Sequence, residues 1–319
     1  MRKKLTLIMN LVFFLCVINW ALTGSASNVH AEPAEPLVVD GFVLPESVIH
    51  DEKADVYLVS NFGNPDLVPG FGFISRVRPD GELEELKWIN NLNQPKGLAI
   101  DGDILYVSDV NVVRLFDRRT GYPLGEWKVP GAMCYNWLND VAVGPSGTVY
   151  ATDSGLDLCS PDMTPNPTDA MALYRFDREG NPIVMASGIE LAGPNGIVAN
   201  GDNLFVATMF GNMIYRTNSS GKIFPVVEVP GFFLDGLIRL TDGSLLVSSW
   251  IPPAIYKINP SRREVTTILD YKNFSEYFFW NQNHPLFSRA PADIGFDHVR
   301  NRILIPVLMG NLVVIYPME

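Results

Sequence analysis

The chain has 319 residues, 47% apolar and 11% aromatic, and 24 Lys+Arg against 35 Asp+Glu give a formal net charge of −11. An acidic chain argues against nucleic acid as a partner, because a phosphate backbone is held by a basic surface, and this much apolar and aromatic material argues against disorder. The 26 Gly and 24 Pro argue against long uninterrupted helices, and the length fits one large domain or two small ones.

At the N-terminus Arg2, Lys3 and Lys4 precede an apolar run from Leu5 to Leu22, and Val29-His30-Ala31 forms a small-x-Ala cleavage site before Glu32. A charged start, an apolar core and such a site describe a signal peptide over residues 1–31. Residues 32–319 are then the mature chain, secreted or periplasmic, with an uncleaved membrane anchor as the alternative. Cys16 follows bulky Phe14 and Leu15, unlike a lipidation site. Cleavage removes three cations and no acids, leaving 21 Lys+Arg against 35 Asp+Glu, a net −14. The two remaining cysteines, Cys134 and Cys159, are expected to pair in an oxidising compartment; two buried free thiols are the alternative.

Along the mature chain a unit recurs six times: a short apolar strand opened by a polar residue, a turn, then a second strand rich in Val, Leu, Ile and Tyr. The second strands include Val56-Tyr57-Leu58-Val59, Ile104-Leu105-Tyr106-Val107, Thr148-Val149-Tyr150-Ala151, Leu204-Phe205-Val206-Ala207, Leu245-Leu246-Val247-Ser248 and Ile303-Leu304-Ile305. Third strands such as Arg114-Leu115-Phe116-Asp117 and Ile255-Tyr256-Lys257-Ile258 alternate polar and apolar residues, the pattern of half-buried strands. Fourth strands follow turns such as Asp80-Gly81 and Gly180-Asn181. The opening residues are Glu46, Lys96, Asn139, Asn195, Asp235 and Asp293, about 49 residues apart, a propeller-blade period. The last repeat lacks a fourth strand, and Leu37-Val38-Val39-Asp40-Gly41-Phe42 precedes the first without a partner. Pairing the two closes an all-β, six-bladed propeller and removes its sheet edges; a β-sandwich would explain neither the period nor the matched leftovers.

In a propeller the first strands line the channel, so their opening residues converge at one mouth. Glu46, Asn139, Asn195 and Asp235 offer two carboxylates and two amide oxygens, hard donors that suit Ca²⁺ or another divalent cation; zinc fits less well without His or Cys. The loops 61–72 and 153–171 lie on the same face. The insertion 271–291 adds Phe274, Tyr277, Phe278, Phe279, Trp280, His284 and Phe287, either as the apolar wall of a pocket or as a plug packed on the propeller.

Pro45-Glu46-Ser47, Leu138-Asn139-Asp140-Val141, Pro194-Asn195-Gly196-Ile197 and Leu234-Asp235-Gly236-Leu237 together resemble the senescence-marker-protein/gluconolactonase superfamily. The stretch from Leu138 to Pro161 is similar to paraoxonases, and the resemblance spans the mature chain. It implies a lactone or ester hydrolase with Ca²⁺ held by Glu46, Asn139, Asn195 and Asp235, the ion polarising the carbonyl and Asp235 activating water or acting as nucleophile. Asn139, Lys96 and His284 are the expected substrate contacts. Lys96 stands where paraoxonases have a His, so a His-dyad mechanism is not carried over; its charge pairs with Glu46 or Asp293 or meets an anionic substrate group. His50 and His298 read as surface residues near turns. The runner-up reading is a non-catalytic propeller that binds a ligand or protein partner and uses Ca²⁺ for stability alone. Oligomeric state is not readable from the sequence.

Overall fold

The structure, a computed structural model, describes residues 35–64, 69–131, 136–156, 170–201, 203, 204–218, 220–280, 282–283 and 288–318. The expected signal peptide and both Cys134 and Cys159 lie outside the described residues. Six four-stranded antiparallel sheets account for the regular structure; among the described residues helical structure is confined to two 3-10 turns, Ile189–Leu191 and Leu308–Gly310. None of the described helices is long and apolar enough to cross a membrane.

The blades begin with the strands Pro45–Asp51, Pro95–Asp101, Leu138–Val143, Pro194–Asn200, Phe232–Arg239 and Gly295–Asp297. Sequential order within the first five blades shows that each is a simple meander, the topology that short Asp-Gly and Asn-Gly turns enforce. The sixth is composite. Leu37–Asp40 pairs antiparallel with the C-terminal strand Leu312–Pro317, Val39 opposite Val313, and supplies the fourth strand of that blade. The expected closure is therefore present, and Glu35–Glu319 form one unit.

Burial explains the apolar runs. Each strand that is apolar on both faces is covered on both sides, because the core is divided among the six inter-blade interfaces. Val48, Tyr57 and Val59 pack with Leu304, Val313 and Ile315 between blades 6 and 1. Leu58 and Ile74 pack with Leu98 and Val107 between blades 1 and 2; equivalent clusters fill the next four interfaces.

Of the two readings of the 271–291 insertion, the plug holds for Phe274 and Phe278, which are buried with Ile255, Leu269, Ile303 and Ile305 between blades 5 and 6. One expectation is corrected. His50 is no surface residue: it is buried, with Nε2 3.2 Å from Asp55 and Nδ1 3.4 Å from Asp297, tying blade 1 to the closing blade. His298 is exposed, as expected.

Candidate metal centre

The first strands of blades 1 to 5 share one irregularity. Between Pro45 and Val48, Pro95 and Leu98, Leu138 and Val141, Pro194 and Ile197, and Leu234 and Leu237 the register against the second strand slips by one residue. Such a bulge bends a strand and re-aims a side chain, and the bulged residues are the five openers Glu46, Lys96, Asn139, Asn195 and Asp235. All are buried, as is Asp293 of blade 6.

The bulge leaves backbone groups without a ladder partner, and a hydroxyl near the end of the second strand meets them. Ser60 Oγ accepts from Ser47 N at 2.9 Å, Thr152 Oγ1 from Asp140 N at 2.9 Å and Ser248 Oγ from Gly236 N at 2.8 Å. The same hydroxyls donate onward to the next blade, Thr152 to the Asn195 carbonyl at 2.8 Å and Ser248 to the Ala292 carbonyl at 2.7 Å. Ser108 likewise donates to the Asn139 carbonyl at 2.5 Å. Neighbouring first strands approach so closely that a Cβ at Gly97 would strike Asp140, and one at Gly236 would strike Ile294 and Asp293. The openers are thus fixed by the backbone of the strands that carry them.

Their electrostatics show which of them face one another. Burial first, then the Asp235 and Asp293 carboxylates, hold the Glu46 carboxyl well above the usual carboxylate range. Burial pushes Asp235 up to about 7 despite the hydrogen bond from Trp250, and burial followed by Asp140 and Asp235 raises Asp293. Asp140 is raised by burial to about 7 while accepting from Val141 N at 2.7 Å and Ile197 N at 2.8 Å. Three of the expected ligands carry a buried oxygen with no hydrogen-bond partner: Glu46 Oε2, Asn195 Oδ1 and Asp235 Oδ1. A buried oxygen left unsatisfied costs about 1–3 kcal/mol, so three in one cluster of mutually repelling acids leave a site short of positive charge. The fourth, Asn139, occupies the equivalent bulge and gives its amide N–H to Ser154 Oγ at 3.0 Å. Among the described residues no group of three or more His, Cys, Asp or Glu is arranged around a metal position; the donor set here is two carboxylates and amide oxygens.

Lys96 does not supply the missing charge. It forms no ion pair with Glu46 or Asp293 among the described residues; its Nζ donates to the Gln94 carbonyl at 3.2 Å and lies 4.5 Å from the Trp137 ring centre. Burial lowers its pKa to about 8, opposed by Glu46. Fully buried, Lys96 does not present its ammonium to an open pocket in this structure. In this structure Lys96 is a buried cation lying against an aromatic ring.

The roof is a seventh apolar cluster that sequence reasoning missed. Phe62, Trp137, Leu156, Ala292 and Leu308 pack together with Leu44, Met209, Phe210 and Trp250 against them. Phe62 and Trp137 meet edge to face at 6.4 Å, and Trp250 Nε1 donates to Asp235 Oδ2 at 2.9 Å. Its sequence signal is only scattered single aromatics at strand ends, far weaker than the dense run at 271–291. His284 lies outside the described residues.

No protein-family model and no curated protein matches the sequence. Solved structures do match. A gluconolactonase from Xanthomonas campestris superposes with a TM-score of 0.65 at 17% identity, covering 88% of each chain. A luciferin-regenerating enzyme gives 0.61 at 13% identity over 89% of this chain and 98% of its own. Virginiamycin B lyase from Staphylococcus aureus gives 0.54 at 16% identity over 89% of this chain and all of its own, 100%. The first two are propellers of the senescence-marker-protein/gluconolactonase type that the opening motifs resemble. At these identities the likeness is one of fold: the chain is a six-bladed β-propeller whose structural neighbours include hydrolases and a lyase.

Proposed function

We propose that this protein is an exported, divalent-cation-dependent hydrolase of lactones or related esters, with the cation held by Glu46, Asn139, Asn195 and Asp235. The observation that carries the reading is the trio of partnerless buried oxygens on Glu46, Asn195 and Asp235. Hard oxygens, two of them carboxylate, in a cluster of acids match the preference of Ca²⁺, and a cation there relieves the repulsion that raises the carboxyls. A divalent cation so held supplies Lewis-acid polarisation of a carbonyl oxygen.

The chain's own residues do the remaining work. Trp250 fixes one oxygen of Asp235, and this carboxylate, beside the cation, would activate the attacking water or act as nucleophile. Asn139 would orient the substrate oxygen through an amide group that cannot itself ionise. Lys96, under Trp137, adds a positive field to the same enclosure, which favours charge developing on the substrate. The roof of Phe62, Trp137 and Leu308 excludes water and gives an apolar surface for the substrate body. Cleavage of the signal peptide near Ala31 would place the enzyme outside the cytoplasm, in the compartment where Cys134 and Cys159 can pair.

Hydrolysis of a panel of lactones and aryl esters, measured with Ca²⁺ and with chelator, tests the proposal. Chelator-sensitive turnover that is lost in Asp235→Ala supports it. A flat panel, with chelation lowering only the melting temperature, replaces it with a cation-stabilised binding propeller.

A further inference from the structure

On the face opposite the channel mouth, the ends of blades 4 and 5 enclose a cleft of about 870 Å³. Its walls come from the strand ends at Asn200, Arg216 and Arg239 and from the turn that follows Asn259. The composition of this cleft opposes that of the chain. Arg216, Arg239, Lys257, Arg262 and Arg263 line it against the acids Asp242 and Glu264, in a protein whose formal net charge is −11.

The arginines are also left unneutralised. Elsewhere Arg76, Arg78, Arg114, Arg118, Arg119 and Arg300 each hold a carboxylate. In the cleft only Lys257 does, with Asp242 at 3.0 Å; among the described residues Arg216, Arg239, Arg262 and Arg263 have no acidic partner. Outside the cleft Arg175, Arg178, Arg289 and Arg302 also have no ion pair among the described residues; what sets the cleft apart is that four such guanidinium groups line one cavity. The turn that carries two of them and the side chain of a third are held in position. Asn259 Oδ1 accepts from Ser261 N at 3.2 Å and Arg262 N at 3.1 Å, shaping the turn that carries Arg262 and Arg263. Arg216 lies 5.4 Å from the Phe224 ring centre, and Lys222 lies 5.2 Å from the same ring. Phe205, Phe224 and Pro225 give the cavity an apolar side.

We propose that this cleft binds a small organic anion carrying two or more phosphate or sulfate groups on an apolar or aromatic body. Guanidinium is the side chain that matches the oxygens of such groups in a bidentate fork. The volume lies within the 300–1,000 Å³, roughly, of small-molecule sites. The site is separate from the acidic mouth, so it stands or falls independently of the hydrolase reading.

Calorimetric titration of the full chain with adenosine triphosphate and with inorganic tripolyphosphate, at low and high salt, tests it. Saturable binding of both is expected, weakened by salt as screening requires, with the nucleotide tighter because it has an apolar body. Arg239→Glu with Arg263→Glu should weaken binding at least tenfold. The control pair Lys128→Glu with Arg178→Glu, exposed residues outside the cleft and of equal charge change, should leave it within about twofold. Melting temperatures of the four proteins identify any variant that fails to fold; if the cleft pair does, Arg262→Gln replaces it, with a smaller loss expected. Absence of saturable binding, or equal loss in the control pair, overturns the site. Equal affinity for the two probes overturns the organic part of the proposal.

Discussion

Trp250 Nε1 donates to Asp235 Oδ2 at 2.9 Å, while Asp235 Oδ1, equally buried, receives no hydrogen bond. One indole therefore joins the roof to the acid beneath it. Asp235→Asn keeps the shape and removes the charge. In the proposed enzyme it should lower the hydrolytic rate by about a hundredfold or more, the scale of a lost general base, and abolish stabilisation by Ca²⁺. Without cation its melting temperature should not fall, since a buried carboxyl in a cluster of acids has been neutralised. Trp250→Phe, by contrast, leaves both Asp235 oxygens partnerless and should cost about 1–3 kcal/mol. Paired rate and melting measurements on the two variants check both outcomes; a cation-free D235N that melts well below the parent contradicts the charge argument.

Lys96 shares its enclosure with the proposed cation ligands, and two cations repel. Lys96→Met keeps length and apolar contact with Trp137 and Phe62 but removes the charge. Calorimetry should show tighter Ca²⁺ binding, by about tenfold for each 1.4 kcal/mol of repulsion removed. If affinity falls instead, Lys96 supports the ligand geometry and does not oppose the ion. The rate should drop even as the cation binds better, because the field that favours developing negative charge is weakened.

The fold was legible because its signals repeat. An opener every 49 residues or so and an unpartnered strand at each end leave few arrangements besides a closed ring. Glu46, Asn139, Asn195 and Asp235 were legible for the same reason: each sits at the same bulge. The hydroxyls that fix those bulges were visible too, in Val59-Ser60-Asn61, Val107-Ser108-Asp109, Ala151-Thr152-Asp153 and Val247-Ser248-Ser249, yet a Ser or Thr near a strand end has many ordinary uses. What stayed hidden depends on contacts distant in sequence. Phe62, Trp137 and Leu308 meet only after the ring closes, and nothing local marks His50 as the neighbour of Asp297. Nor does the run Phe274 to Phe287 reveal which side its rings face; counting aromatics does not place them.

Closure by Leu37–Asp40 carries its own consequence. Val39 is 4% exposed and packs among Val48, Val59, Leu304 and Val313. Val39→Asp buries an unpaired charge at the seam and should destabilise by about 3–5 kcal/mol, as breaking a buried pair does. With roughly 2–4 °C per kcal/mol for chains of this order of size, the melting temperature should drop by about 6 °C or more. The unpaired edge at Leu312–Pro317 should also promote association, visible as a shift in size-exclusion elution. A variant that melts like the parent and stays unchanged in size would show that the seam is not needed.

The raised carboxyls give the cation site a pH signature. Unfolded Asp and Glu titrate near 3.9 and 4.3, whereas burial lifts folded Asp235 to about 7 and raises Glu46 and Asp293 as well. Between these values the folded chain keeps protons that the unfolded chain has released, so stability falls as pH rises. In chelator the protein should be more stable at pH 5 than at pH 8. A divalent cation competes with those protons for the same oxygens. Adding Ca²⁺ should therefore stabilise strongly at pH 8 and weakly at pH 5, flattening or reversing the decline. Melting curves at both pH values, with and without Ca²⁺, read four numbers that fix the sign. Equal stabilisation by Ca²⁺ at pH 5 and pH 8 would place the ion on exposed carboxylates that are already ionised at the lower pH, away from the buried cluster.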